Sequence, residues 1–210
     1  MKPGWRWRQR GAVLPTALVM LVTLMLGAAA LMRMVESTNQ LAGNLAFRRA
    51  ATLAAERGAE AAIDWLEQQS GTTLANDDVA AGYHASAVAL VDASGNAASS
   101  AAAAIDWKND GCAGLANAVC LKTAALAGID NAGHSVRYLI QRLCGGSGEL
   151  ASTGECAVHM DTQAESSSRG GISYASSKRL TGQPWGFYRI TARAAGPRDT
   201  VSLIQVLVRL

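Results

Sequence analysis

The apolar and polar positions of the chain fall into three zones, and the first is a long uncharged stretch. From Ala12 to Met32 there are 21 consecutive residues without a charge. At about 1.5 Å per residue, a helix of that length spans roughly 30 Å, which is the thickness of the apolar core of a bilayer. The pattern predicts that residues 12–32 form the membrane-spanning part of a helix.

The second zone, residues 33–68, continues the helical pattern with charges at helical spacing and no proline. Its glycines, Gly43 and Gly58, each cost about 1 kcal/mol relative to alanine, but the other residues favour a helix. We expect one helix from the apolar stretch to about Glu67, whose second half is amphipathic. Its apolar stripe would contain Val35, Leu41, Leu45, Leu53, Ile63 and Leu66.

The third zone, residues 69–210, is predicted to form a globular head. Its first part, 70–104, is rich in glycine, alanine and serine, and predicts loops around a strand over 83–92. The alanine run that ends this part is compatible with a loop or with a short helix. Further along, the polar stretch 161–184 predicts a surface loop.

The clearest strand signals lie in the C-terminal third of the chain. Alternation predicts strands at 135–143 and 156–160, and a final hairpin turning at 195–199. In the hairpin, Tyr188, Ile190 and Ala192 share one face. The predicted fold is α+β, with a long, partly transmembrane N-terminal helix packed on an antiparallel sheet.

The positive charge of the chain is concentrated at its start. The net charge is +3, and Lys2, Arg6, Arg8 and Arg10 precede any acidic residue. From Ala12 onward, 15 basic residues face 16 acidic residues. A basic surface on the head is therefore not indicated, and we expect no nucleic-acid partner. The basic flank also predicts a cytoplasmic N-terminus with the head on the other side of the membrane.

Three interpretations of the N-terminus remain open from these residues. A secretion signal would use the apolar stretch 13–26 and the small residues Ala28, Ala29 and Ala30 as a cleavage site. A plain anchor needs only the span. The third interpretation is a short basic leader that ends at Gly11 and is removed while the apolar segment is kept. A long helix after the span favours the last two.

Four cysteines, in a chain with an export-type N-terminus, predict two disulfides. Three connectivities are possible, and short loops close most easily. We therefore expect Cys112–Cys120 and Cys144–Cys156.

No catalytic, metal or cofactor motif is expected. The sequence DWKNDG at 106–111 begins like a calcium loop, but Lys108 and Asn117 occupy ligand positions. The three histidines lack zinc spacing, and we expect them to be structural or on the surface. Most of the larger aromatic side chains are expected in the core, namely Trp65, Trp107, Trp185 and Tyr188.

Both ends of the chain resemble the PilX-type minor pilins of bacterial type IV pili. The similar N-terminal pieces are RGAVLPTALVMLVTLMLGAAAL, then Gly43-Asn44, then the alanine-rich run 54–66. Towards the other end, VRYLIQRLC at 136–144 and WGFYRITARAAGPRDTVSLIQVLVRL at 185–210 are similar to the family's closing strands. The resemblance covers about half of the chain, and residues 68–134 are outside it.

The resemblance implies a leader, residues 1–11, that prepilin peptidase removes after Gly11, so that Ala12 becomes the N-terminus and is methylated. Most pilins carry a glutamate at the fifth mature position, which is Thr16 here, and its absence in related filaments marks a tip subunit. A buried carboxylate in lipid needs a partner, such as the amine of the subunit ahead, and a tip subunit has none.

The implied function is non-enzymatic initiation or assembly of a type IV pilus, without a cofactor. The implied partners are other minor pilins, the major pilin, the inner-membrane assembly platform, prepilin peptidase, membrane lipid and a tip adhesin. The implied location is the inner membrane, with a periplasmic head, before assembly and the pilus afterwards. Two alternatives are the tip pseudopilin of a type II secretion system and an envelope protein unrelated to pili.

Overall fold

The structure is a computed structural model that describes residues 13–69, 72–94, 102–114, 119–127, 133–150, 155–159 and 184–210. Its internal contacts divide the chain into two compact units, residues 1–46 and residues 47–210. Each unit is described by itself below. The predicted loop at 161–184 lies outside the described residues except for its last residue.

One helix, α1, runs from Val13 to Glu67, a length of 55 residues. This confirms the predicted extent of the helix. Because Pro15 lies in the first turn, its missing amide hydrogen removes no hydrogen bond from the helix interior. In the first unit, every described residue up to Ala42 is exposed.

In the second unit, the buried face of α1 consists almost entirely of small residues: Ala51, Ala54, Ala55, Gly58, Ala59, Ala62 and Leu66. The predicted stripe of large apolar residues is wrong, since Leu53 is 61% exposed and only Leu66 of that stripe is buried. Small side chains let the helix backbone approach the sheet closely, whereas leucines along the same face would hold the two apart.

The head contains nine strands and two single turns of 3-10 helix within its described residues. The strands are β1 (Tyr83–His84), β2 (Val91–Asp92), β3 (Ala103–Asp106), β4 (Cys120–Lys122), β5 (Ala124–Ala125), β6 (Ser135–Arg142), β7 (Val158–His159), β8 (Trp185–Ala195) and β9 (Val201–Arg209). The 3-10 turns cover Thr73–Ala75 and Pro197–Asp199.

The larger sheet is built around the antiparallel strands β6, β8 and β9. Their register places Ile190 opposite Ile140 on one side and opposite Val206 on the other. Tyr188, Ile190 and Ala192 share one face, as the alternation predicts, and this face packs against α1. The strand at 135–143 and the hairpin turn at 195–199 are also confirmed.

The expectation of a purely antiparallel sheet is wrong in two places. The short strand β1 pairs with β6 in parallel, and β2, β3 and β4 form a separate three-stranded parallel sheet. The predicted strand at 83–92 is in fact two strands, β1 and β2, in different sheets. The end of the alanine run forms β3 rather than a loop or a helix. The fold is therefore α+β, with one long N-terminal helix and mixed strand pairing.

A second small core lies between the two sheets. It contains Ala103, Ile105 and Trp107 from β3 and the residue after it, Leu121 from β4, and Leu139 from the outer face of β6. Leu139 thus faces away from the core under α1, where its neighbours Tyr138 and Ile140 lie. Through these contacts with Leu139, the three-stranded sheet covers the face of β6 that points away from α1.

We predict that Gly58→Ala lowers the free energy of unfolding by about 1 kcal/mol. A Cβ at this position would lie 2.5 Å from Val136 Cγ1 and 3.4 Å from Ala192 Cβ. Overpacking costs about 1–3 kcal/mol and exceeds the roughly 1 kcal/mol gained in helix propensity. Thermal unfolding of the full chain in detergent micelles, followed by circular dichroism, measures the change.

The matched control is Gly43→Ala, because a Cβ at Gly43 meets nothing within 4 Å. This variant should lose no stability and should gain up to about 1 kcal/mol from helix propensity. Equal effects of the two substitutions would contradict the close contact between α1 and the sheet.

Candidate functional site

The apolar segment of α1 is the most distinctive surface in the first unit. An apolar stretch of 18 consecutive residues in this segment has a mean hydropathy of 2.2, and none of the stretch is buried. Leu14, Leu24 and Met32 are each at least 74% exposed. A core helix of a soluble domain would bury such residues, so this segment requires an apolar environment that the described chain does not supply. By length and composition, α1 has one segment near the N-terminus that could cross a membrane.

The few hydroxyl groups on this half of α1 are bonded to its own backbone. Thr16 Oγ1 donates to the Val13 carbonyl oxygen at 2.9 Å, and Thr23 Oγ1 donates to that of Met20 at 2.8 Å. Such bonds satisfy a hydroxyl group without water or a second chain, as an apolar surrounding requires. Thr16 therefore carries no charge, and its hydroxyl group is bonded within the helix.

The predicted processing residues, Gly11 and Ala12, lie outside the described residues. The described part of the chain begins at Val13, one residue beyond the predicted new N-terminus. The proposed cleavage therefore remains a prediction from the sequence.

The head contains both disulfides in the local connectivity that short loops favour. Cys112 bonds to Cys120, and Cys144 bonds to Cys156. The second bond joins the end of β6 to the segment that leads into β7, where the same two residues also form a β-bridge. The predicted strand at 156–160 is reduced to this bridge and the two residues of β7, Val158 and His159, while residue 160 lies outside the described part.

We predict that replacing Cys144 and Cys156 by alanine lowers the free energy of unfolding by about 3 kcal/mol, because the disulfide closes a loop of 12 residues. The same change at Cys112 and Cys120 should cost about 2.5 kcal/mol for its loop of eight. Urea unfolding measures both losses. A variant that unfolds at the wild-type urea concentration would show that the bond contributes nothing.

A buried arginine organises the turn after β6. Arg142 is 1% exposed, and its Nε donates to the Ala85 carbonyl oxygen at 2.9 Å. Its Nη2 donates to the carbonyl oxygens of Gly148 at 2.7 Å and Gly146 at 3.5 Å. The guanidinium group thus ties the segment after β1 to the glycine-rich loop 145–148. Its bonds go to backbone carbonyls, so its role is to hold loops in place.

The DWKNDG motif is a backbone-capping turn. Asp106 is 3% exposed, and its carboxylate accepts bonds from the amides of Asp110 at 3.0 Å and Gly111 at 2.9 Å. Asn109 and Gly111 have positive φ angles, which a turn of this kind uses. Both oxygens of the Asp106 carboxylate thus accept hydrogen bonds from backbone amides. The motif forms a hydrogen-bonded loop.

Three tyrosines lie under α1 or near the sheet centre, and burial raises the pKa of each. Tyr83, Tyr138 and Tyr188 all have a pKa above the ordinary value of 10.0, with desolvation as the largest cause. The Tyr83 hydroxyl donates to the Leu74 carbonyl oxygen at 2.7 Å. The largest cause of each shift is therefore core packing.

We predict that the chain loses stability as pH rises above 10. The unfolded tyrosines release their protons near pH 10 while the folded ones retain them, so the unfolded state binds fewer protons and unfolding becomes easier. The slope is about 1.4 kcal/mol per pH unit for each such tyrosine. Urea midpoints between pH 8 and pH 11 test this. The variant Tyr138→Phe should show a shallower decline, and a flat profile would refute the burial argument.

Other side chains confirm some expectations and correct others. Trp107 and Tyr188 are buried, but Trp185 is 42% exposed, so its predicted core position is wrong. His84 and His134 are buried in the head, and His159 is exposed. Among the described residues, no group of three or more potential metal ligands occurs.

Sequence reasoning missed the roles of Arg142, Asp106 and His84. His84 Nε2 donates to the Lys122 carbonyl oxygen at 3.1 Å, and its Nδ1 lies 3.9 Å from Asp77 Oδ2. A weak signal existed for Asp106, since Asp-x-x-Asn-Asp-Gly is rich in turn formers. Nothing in the local pattern distinguishes the buried arginine from the exposed ones.

Comparison with models of protein families, with curated proteins and with solved structures gave no match.

Proposed function

We propose that this chain is a non-enzymatic minor pilin that takes part in initiating or assembling a type IV pilus. The observation that carries the proposal is that α1 has an exposed apolar part and a second part that packs in the head. Residues 13–42 are all exposed and mostly apolar, and the same helix buries one face between residues 51 and 66 in the head. A cleaved secretion signal has no reason to continue into a helix that forms part of the core.

The sequence motifs add the second line of support. A basic segment ends at Gly11, directly before the apolar helix, and the end of the chain forms the hairpin that the resemblance to PilX-type minor pilins implies. The two disulfides suit a head that resides in an oxidising compartment. In this proposal the N-terminus is cytoplasmic and the head periplasmic until the subunit leaves the membrane for the pilus.

Thr16 favours a position in the priming or tip complex over one in the shaft. A tip subunit has no subunit ahead of it whose N-terminal amine would pair with a carboxylate. The hydroxyl of Thr16 is bonded to the helix backbone and needs no such partner. The partners in this role are other minor pilins, the major pilin, the assembly platform and a tip adhesin, and prepilin peptidase acts on the precursor.

Mass spectrometry of the mature N-terminus tests the proposal in cells with and without prepilin peptidase. We predict a chain that begins at Ala12 only when the peptidase is present. Gly11→Leu should abolish this cleavage, because it replaces the glycine that ends the leader. The matched control is Gly4→Leu, which changes a leader glycine away from the junction and should leave cleavage intact.

The other possible N-termini each exclude the pilin assignment. A chain that begins at Leu31 would be a secreted protein released by signal peptidase. An intact Met1 in peptidase-containing cells would identify a plain membrane anchor.

A further inference from the structure

Strand β9 is the outermost strand of the larger sheet in the part of the chain that the structure describes. It pairs with β8 along its whole length, from Val201 opposite Ala195 to Arg209 opposite Phe187. No second strand pairs with it among the described residues. One side of β9 therefore presents a row of backbone donors and acceptors over nine residues.

The hydrogen-bond pattern identifies which amides face the open edge. Gly186 and Leu210 exchange two bonds, at 2.7 and 3.1 Å, so they form a hydrogen-bonded pair of the antiparallel ladder. Because such pairs recur at every second residue, the even-numbered residues of β9 direct their amides to β8. The amides of the odd-numbered residues point away from the sheet: Val201, Leu203, Gln205, Leu207 and Arg209.

The same odd-numbered residues also carry the exposed side chains. Val201 is 50% exposed, Leu203 41% and Leu207 65%. The even-numbered Ile204, Val206 and Val208 pack against the cores on the α1 face instead. An approaching strand would therefore meet, at the same positions, apolar side chains and amides that pair with no other described strand.

The usual protection of an edge strand is absent from the interior of β9. Edge strands are commonly blunted by short length, a charged residue, a proline or a bulge. From Val201 to Val208 the strand contains no charge and no proline, and its register with β8 is continuous. Open edges of this length and composition bind an added strand or aggregate.

We propose that β9 binds an extended segment of a different protein, which joins the sheet as an additional strand next to β9. The segment would be about six to nine residues long, uncharged, and apolar at alternate positions. Its backbone would pair with the amides of Leu203, Gln205 and Leu207. This proposal does not depend on a role in pili.

A second copy of the chain suits this edge poorly. The two-fold axis that joins two antiparallel edge strands into one sheet is perpendicular to that sheet. It would reverse the direction of helix residues 47–67, which pack on the sheet in each copy. Copies that enter one membrane through the same end of α1 run in the same direction, so this pairing is not open to them.

Amide-resolved hydrogen exchange of the full chain in detergent micelles tests the proposal. The probe is a capped ten-residue peptide of alternating threonine and valine. On addition of the peptide, the amides of Val201, Leu203, Gln205 and Leu207 should exchange at least tenfold more slowly. Those of Ile204 and Val206 should be slow from the start. A peptide with two central prolines should have no effect.

Two variants separate edge pairing from general stickiness. Gln205→Pro removes one edge-directed amide and leaves the bonds to β8, so it should abolish the peptide effect. If it disturbs the fold, the double variant Leu203→Lys and Leu207→Lys places two charges on the exposed face and should weaken binding at least tenfold. The matched control is Leu53→Arg, at an exposed leucine on α1, which should bind the peptide normally.

Photocrosslinking from position 205 in cells tests that the occupant is another protein. The expected adduct contains an uncharged, alternating segment of a different chain, and Leu203→Lys should remove it. Three results would overturn the proposal: a crosslinked homodimer, edge amides that are already slow in the isolated chain, or no slowing of those amides at saturating peptide.

Discussion

The close approach of α1 to the large sheet is the constraint on which the rest of the head depends. Alanines on one helix face, together with Leu66, pack with residues of strands β6, β8 and β9. At Gly58 an added Cβ would lie 2.5 Å from Val136 Cγ1. Apart from Leu66, the buried face of the helix therefore carries only alanine and glycine. Leu53, in the same part of the helix, is 61% exposed.

The polar groups of the head serve the same compact arrangement. Once β6 and β8 are fixed under α1, the loops that follow β1 and β6 must be held at the edge of the sheet. Arg142 does this through backbone carbonyls, and the Cys144–Cys156 disulfide holds the far side of the same loop. Asp106 closes the turn after β3 in a similar way. These buried polar groups thus hold loops in place.

Two exposed surfaces, the apolar half of α1 and the outer edge of β9, each lack a covering partner among the described residues. Lipid or neighbouring helices would cover the apolar half of α1, and an added strand would pair with the open edge of β9. The two surfaces differ in kind, because the first is side chains alone and the second is backbone together with side chains.

The sequence by itself determined the elements whose signal is local. The extent of α1, the strand at 135–142, the closing hairpin and the short disulfide loops all follow from periodicity, turn chemistry or loop length. Only the tertiary structure decided which face of α1 is buried, the parallel pairing of β1 and β2–β4, and the burial of Arg142. Those features depend on contacts between distant segments. In an alanine-rich helix the sequence shows no periodic difference between apolar and polar positions. It therefore does not indicate which helix face a sheet will cover.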